Sequence, residues 1–128
     1  MSTIHVALFD DSKRIRDSLG MLLSTTPGIG LCGCFPDAVD VLAKVAACKP
    51  DVVLMDLLMA GMDGATATRA IRKRHPHVQV IILTGFKETH LIQDALQAGA
   101  VDYWLKGNTG DELADAIRLA HHRQPMST

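Results

Sequence analysis

Asp10 and Asp11, Asp56, Thr84 and Lys106 have one thing in common: each group follows directly on a short apolar run, residues 5–9, 52–55, 78–83 and 100–105 respectively. Three carboxylates, a hydroxyl and an ammonium are a set suited to phosphate and divalent-cation chemistry. Clustered carboxylates repel one another and shift one another's titration, so they are costly together unless a cation joins them. An all-oxygen set of this kind suits Mg²⁺, which takes one or two carboxylates and keeps several waters. A carboxylate is also a competent nucleophile toward phosphorus, because positioning and charge neutralisation do most of the work in phosphoryl transfer.

For these groups to meet, the runs that precede them must lie side by side and point the same way. Residues 52–55, Val-Val-Leu-Met, are apolar without alternation, and Lys49-Pro50-Asp51 before them and Gly61 and Gly64 after them punctuate the run. Such a run reads as the central strand of a parallel sheet buried on both faces. The segments between the strands carry helical spacing: Ile15, Leu19, Leu22 and Leu23; Ala38, Leu42, Val45 and Ala46; Ala67, Ala70 and Ile71; Leu91, Ile92, Ala95 and Leu96; Leu113, Ile117 and Ala120. Their ends are marked as well. Ser12 is placed to cap the first helix, Thr26-Pro27-Gly28 stops it, Pro36 marks the start of the second and Lys49-Pro50 its end. Asp63-Gly64 opens the third, Gly99 closes the fourth, and Thr109-Gly110-Asp111-Glu112 has the form of a capping box. Residues 29–35, thinned by Gly30 and Gly33, are a weaker strand suited to a sheet edge. Strand and helix thus alternate five times, which predicts a mostly parallel sheet with helices on both faces and ligands at the carboxyl ends of the strands.

At 128 residues the chain has the size of one domain able to bury roughly two-thirds of its unfolded surface. Its 48% hydrophobic and 21% charged residues are ordinary for a folded globular protein, and a formal charge of −1 leaves no basic footprint for nucleic acid. Cys32, Cys34 and Cys48 are expected as reduced, small core residues of a cytoplasmic protein, with Cys32 and Cys34 on one face of their strand. No apolar run approaches the ~18 residues of a membrane span, and no export signal is evident. Phe9, Phe35 and Trp104 read as packing groups. His121 and His122 are adjacent and cannot both face one metal.

The Asp10-Asp11 pair, Asp56, the Met62-Asp63-Gly64 turn, Thr84, Tyr103 and Lys106 together resemble the receiver domain of two-component response regulators, over essentially the whole chain. The resemblance implies a flavodoxin-like, doubly wound α/β fold: a five-stranded parallel sheet in the order 2-1-3-4-5 with five helices. It further implies that Asp56 accepts a phosphoryl group from a phosphohistidine on a sensor histidine kinase. Asp11 and Asp56 would bind Mg²⁺ with the backbone carbonyl of Leu58, and Asp10 would act mainly through water. Lys106 would pair with the phosphoryl oxygens, Thr84 would hydrogen-bond the same group, and Tyr103 holds the aromatic switch position. Leu58 and Phe86 take the two positions that flank the approach of a hydrolytic water.

Residues 1–123 are thus expected to be the receiver, with 124–128 the start of a linker. The Lys-Gly pair at 106–107, the capping-box helix and the Leu-Leu-Met-Ala-Gly-Met-Asp-Gly turn are most similar to regulators of the NarL/FixJ (LuxR-type) group. That likeness implies transcriptional output through a helix-turn-helix domain outside this chain, so DNA contact would come only through that domain. The positions of Thr84 and Tyr103, which link the pocket to the fourth-strand side or the last helix, point to a self-association surface there and a homodimer on phosphorylation. Such a protein is a switch, not an enzyme, beyond its own phosphorylation and slow autodephosphorylation. Two positions depart from the family pattern, Ala60 and Gly107, where proline is usual, and Gly107 removes the usual reason for a cis bond after the lysine. Two rivals keep part of the pattern. A haloacid-dehalogenase-type phosphatase needs a second Asp two residues after the nucleophile, where this chain has Leu58. A receiver-like module that is never phosphorylated usually loses the acidic pair or the lysine, and both are present.

Overall fold

The computed structural model describes residues 3–59, 61–85 and 89–123. Strands and helices alternate along them: β1 (Ile4–Phe9), α1 (Lys13–Thr25), β2 (Ile29–Phe35), α2 (Val41–Cys48), β3 (Val52–Asp56), α3 (Gly64–Arg74), β4 (Gln79–Thr84), α4 (Thr89–Gln97), β5 (Asp102–Leu105) and α5 (Gly110–His122). The sheet order is β2-β1-β3-β4-β5, and every pairing between these strands is parallel. The fold is the doubly wound one expected from the alternation, with β2 and β5 at the edges. Expected residues 124–128 of the linker, together with Ala60 and Phe86, lie outside the described residues.

The central strands are uniformly apolar because both of their faces are covered. Ala7, Phe9, Val53, Met55, Val80 and Ile82 enter one core under α2, α3 and α4. The alternate residues Val6, Leu8, Val52, Leu54, Ile81 and Leu83 enter the other, under α1 and α5. Phe9 and Phe35 stack at 4.8 Å between ring centroids, and Trp104 is buried in the α1–α5 core. Helix starts follow the capping residues. Ser12 Oγ accepts from the Ile15 N–H, an Asp63 oxygen from the Thr66 N–H at 2.7 Å, and Thr109 Oγ from the Glu112 N–H.

Two expectations fail in the same region. The second helix does not begin at Pro36 and does not bury Leu42 and Ala46. Residues 37–40 form a turn in which the Val39 N–H donates to Asp37 Oδ1, and Asp40 adopts a left-handed φ of 54°. This delays α2 to Val41 and rotates it, so that Ala38, Val41 and Val45 face the core while Leu42 and Ala46 are exposed.

The cysteines are also placed differently. β1 pairs Val6 with Leu31 but Ala7 with Gly33, so β2 carries one extra residue and the two-residue alternation of faces is broken there. Cys32 packs toward α2, where it is disulfide-bonded to Cys48, whereas Cys34 is exposed beside Arg16 and Asp17 of α1. Cys32 and Cys48 are therefore joined rather than reduced, Cys34 is not a core residue, and Cys32 and Cys34 do not share a face.

Candidate functional site

The carboxyl ends of β1, β3, β4 and β5 deliver their polar residues to one place. Asp10 continues β1 by donating its N–H to Phe35 O at 3.0 Å, which turns its side chain into the protein, where it is fully buried. One carboxylate oxygen, Oδ1, accepts from the Ser12 N–H at 2.9 Å, and its carbonyl accepts from Arg16 Nη1 at 2.8 Å. Asp11, the next residue, faces outward and is exposed. Asp56 closes β3 and is 5% exposed. One oxygen from each of Asp10, Asp11 and Asp56 falls within 4.8 Å of the others.

Lys106 follows β5 and is held by its N–H, which donates to Thr84 O at 2.8 Å; Gly107 then turns away with a φ of 108°. Its ammonium reaches between two carboxylates, 3.2 Å from Asp56 Oδ1 and 2.9 Å from Asp10 Oδ2. The contact with Asp56 is a hydrogen bond. The contact with Asp10 is an ion pair aligned off the hydrogen-bonding direction, which leaves the buried Oδ2 without a directed donor.

A cavity of about 180 Å³ opens above these groups, lined by Asp11, Asp56, Leu57, Leu58, Thr84, Gly85 and Lys106. Thr84 is buried on its wall, while Leu58, 54% exposed, forms its rim. Tyr103 is not part of this wall. It is the register partner of Ile82, whose side of the sheet carries α4, and it is 40% exposed.

Gly64 was not singled out by chemistry, yet the site depends on it. The turn after Asp56 folds back so closely that a Cβ on Gly64 would sit 2.5 Å from Asp56 O and 2.9 Å from Leu57 Cα. The Gly64 N–H donates to Leu57 O at 2.9 Å, and the Leu57 N–H to Leu83 O at 3.0 Å, so the strand end that carries Asp56 is pinned from both sides. Arg16, one turn into α1, is the other contributor that spacing did not reveal. In the sequence it is one of three basic residues near the helix start, with nothing to mark it as the one that turns back to β1.

Burial pushes Asp56 up to about 6, the negative charge of Asp10 adds to the rise, and Lys106 opposes it. Burial pulls Lys106 down, but its close contacts with the Asp10 and Asp56 carboxylates outweigh this and leave it above its ordinary value. Three carboxylates against one ammonium leave the pocket with excess negative charge and oxygen-only donors. The exposed Asp11, the mouth-facing Asp56 and the undirected Asp10 Oδ2 fit a hard divalent cation of the Mg²⁺ class.

The family described as the response regulator receiver domain matches residues 6–118. The response regulator protein VraR of Staphylococcus aureus is 40% identical over 116 residues, covering 91% of this chain and 56% of that protein. This chain therefore spans little more than half the length of such relatives. Among solved structures, a LuxR-family two-component response regulator from Aurantimonas superimposes with a TM-score of 0.88 at 29% identity, covering 96% of this chain and 88% of the other. The response regulator domain of Thermotoga maritima CheB superimposes with a TM-score of 0.87 at 28% identity, covering 96% and 99%. With a family match across most of its length and the acidic pocket at the strand ends, the chain belongs to the response regulator receiver domain family.

Proposed function

We propose that this receiver is switched by transfer of a phosphoryl group from a phosphohistidine of a sensor histidine kinase to Asp56. The observation that carries the reading is the placement of Asp56: a buried carboxylate at the end of β3, facing a small cavity, with Lys106 Nζ at 3.2 Å. In the transfer the N–P bond of the donor breaks as a bond forms between phosphorus and an Asp56 oxygen. Lys106 offsets the negative charge brought in by the phosphoryl oxygens, and the Thr84 hydroxyl, on the same wall, is placed to donate to one of them. Asp11 and Asp56, with the Leu58 carbonyl, would hold Mg²⁺, and Asp10 would act through water. Bound there, the cation supplies further charge neutralisation. Asp10 also keeps Lys106 in place by the 2.9 Å ion pair.

Once formed, the acyl phosphate adds charge and acceptor oxygens that draw Thr84 and Lys106 into a new arrangement, and Tyr103 on the α4 side carries the change outward. Residues 1–123 form the receiver in this reading, with 124–128 leading to an output domain. The length that the relatives have beyond it supports an output domain, and the likeness to a LuxR-family regulator supports transcriptional output through it; dimer formation on phosphorylation and a cytoplasmic location belong to the same reading. Catalysis extends no further than the chain's own phosphorylation and slow dephosphorylation. Leu58, where a dehalogenase-type phosphatase needs its second Asp, supports that limit.

The test is intact mass after incubation with a small acyl phosphate and Mg²⁺. One added phosphoryl group is expected, absent in Asp56→Asn and absent with a chelator. Uptake by Asp56→Asn at the wild-type rate would overturn the assignment.

A further inference from the structure

Phosphoryl chemistry makes no use of the sulfurs, yet the fold sorts them with care. The extra residue in β2 turns Cys32 toward α2 and sends Cys34 to the α1 side. Helix α2 ends on Cys48, and the Cα atoms of Cys32 and Cys48 are 5.7 Å apart, within the range an unstrained disulfide requires. Gly33 is what lets the helix seat its last residue there: a Cβ at that position would lie 2.9 Å from Cys48 Sγ and 2.7 Å from the Phe35 ring. Both cysteines are half-buried, and they line an open groove of about 460 Å³ with Phe35, Asp40 and Lys44. This groove shares no residue with the Asp56 cavity. Small reagents can therefore reach the pair. Cys34 is set apart chemically as well. Desolvation raises its thiol above the ordinary value, Arg16 pulls it back, and Asp17 and Asp10 add to the rise.

We propose that Cys32 and Cys48 are a reversible redox couple, a dithiol that a hydroperoxide oxidises to the disulfide and a small thiol reduces, with Cys34 outside the exchange. One thiolate attacks a peroxide oxygen and the O–O bond breaks, giving a sulfenic acid and an alkoxide that takes up a proton. The second thiolate attacks the sulfenic sulfur and displaces hydroxide, which leaves as water. Two thiols and one hydroperoxide thus become a disulfide, an alcohol and water. Two equivalents of an external thiol reduce the disulfide by exchange, supplying two electrons and two protons, and leave as their own disulfide. The bond braces β2 against α2 three residues before Phe35, whose carbonyl receives the Asp10 N–H.

The test uses the full chain, reduced, freed of reductant and treated with hydrogen peroxide, then alkylated and weighed. Reduced protein should take three alkyl groups, one per cysteine. Oxidised protein should take one, mapped to Cys34, with a crosslink joining Cys32 to Cys48. Excess dithiothreitol under native conditions should restore three. Cys34→Ser should still close, and Cys32→Ser and Cys48→Ser should not. Closure of a loop with sequence separation 16 should raise the melting temperature by about 5 to 10 °C, a shift lost in the two single variants. Full alkylation after peroxide, a crosslink that includes Cys34, or a disulfide that native-state dithiothreitol leaves intact would each overturn the proposal.

Discussion

Lys106 Nζ stands 3.2 Å from Asp56 Oδ1 and 2.9 Å from Asp10 Oδ2, so a single ammonium serves two carboxylates, one of them fully buried. Removing the ammonium strands the buried charge of Asp10. Lys106→Met should therefore destabilise the fold by about 1 to 3 kcal/mol without divalent metal, and Mg²⁺ should restore part of the loss by taking over the neutralisation. Urea unfolding with and without Mg²⁺ measures both effects. A variant as stable as wild type in a chelating buffer would contradict the role given to Lys106.

Asp56 titrates near 6 in the fold against an ordinary value of 3.8, so the folded protein holds this proton more tightly than the unfolded chain does. The sign follows: ionised Asp56 opposes folding, fully above pH 6, and the penalty disappears as pH falls through 6 toward 3.8. In metal-free buffer Asp56→Asn should stabilise the protein by about 1 to 2 kcal/mol at pH 7.5, after allowance for solvent at the pocket mouth. The gain should shrink steadily toward pH 4. A constant difference between variant and wild type across that range would rule out the titration of Asp56 as its source.

Gly64 has backbone, not flexible side chain, against its missing Cβ. Gly64→Ala must push the end of β3 aside, and a loss of about 1 to 3 kcal/mol is expected together with slower phosphoryl uptake. Gly61, with a φ of 89° and open space around it, provides the contrast. Its Ala variant should lose stability through backbone strain while leaving the uptake rate nearly unchanged. Equal effects of the two substitutions on uptake would mean that the close approach at Gly64 does not position Asp56.

The apolar rim bears on how long the phosphoryl group persists. Hydrolysis needs a water in line with phosphorus, and the exposed Leu58 can shield the site but cannot orient that water. Leu58→Asn should shorten the lifetime about tenfold, equivalent to about 1.4 kcal/mol in the barrier. Phe86→Glu, at the second position named by the family resemblance, should act in the same direction. Decay of phosphorylated protein followed by intact mass decides the matter, and unchanged or slower decay in both variants would remove these positions from the control of lifetime.

The sequence by itself determined the fold and nominated Asp10, Asp11, Asp56, Thr84 and Lys106 as neighbours. Unbroken apolar runs such as Val52-Val53-Leu54-Met55 are legible because strands covered on both faces need no alternation. Capping at Ser12, Asp63 and Thr109 is legible because it joins residues three positions apart. The site residues could be nominated because each ends such a run, and parallel strands bring their ends together. What only the tertiary structure decided depends on partners far along the chain. The pairing of β1 with β2 inserts one extra residue and so reverses the face of Cys34, and no local pattern signals a register shift against another strand. The face that α2 buries follows from the left-handed turn at Asp40 rather than from its apolar spacing, which allowed Leu42 and Ala46 equally. Asp10 and Asp11 are alike as residues. Only the hydrogen bond from Asp10 to β2 and the reach of Lys106 across 96 residues make one the buried partner of the ammonium and the other an exposed carboxylate at the mouth.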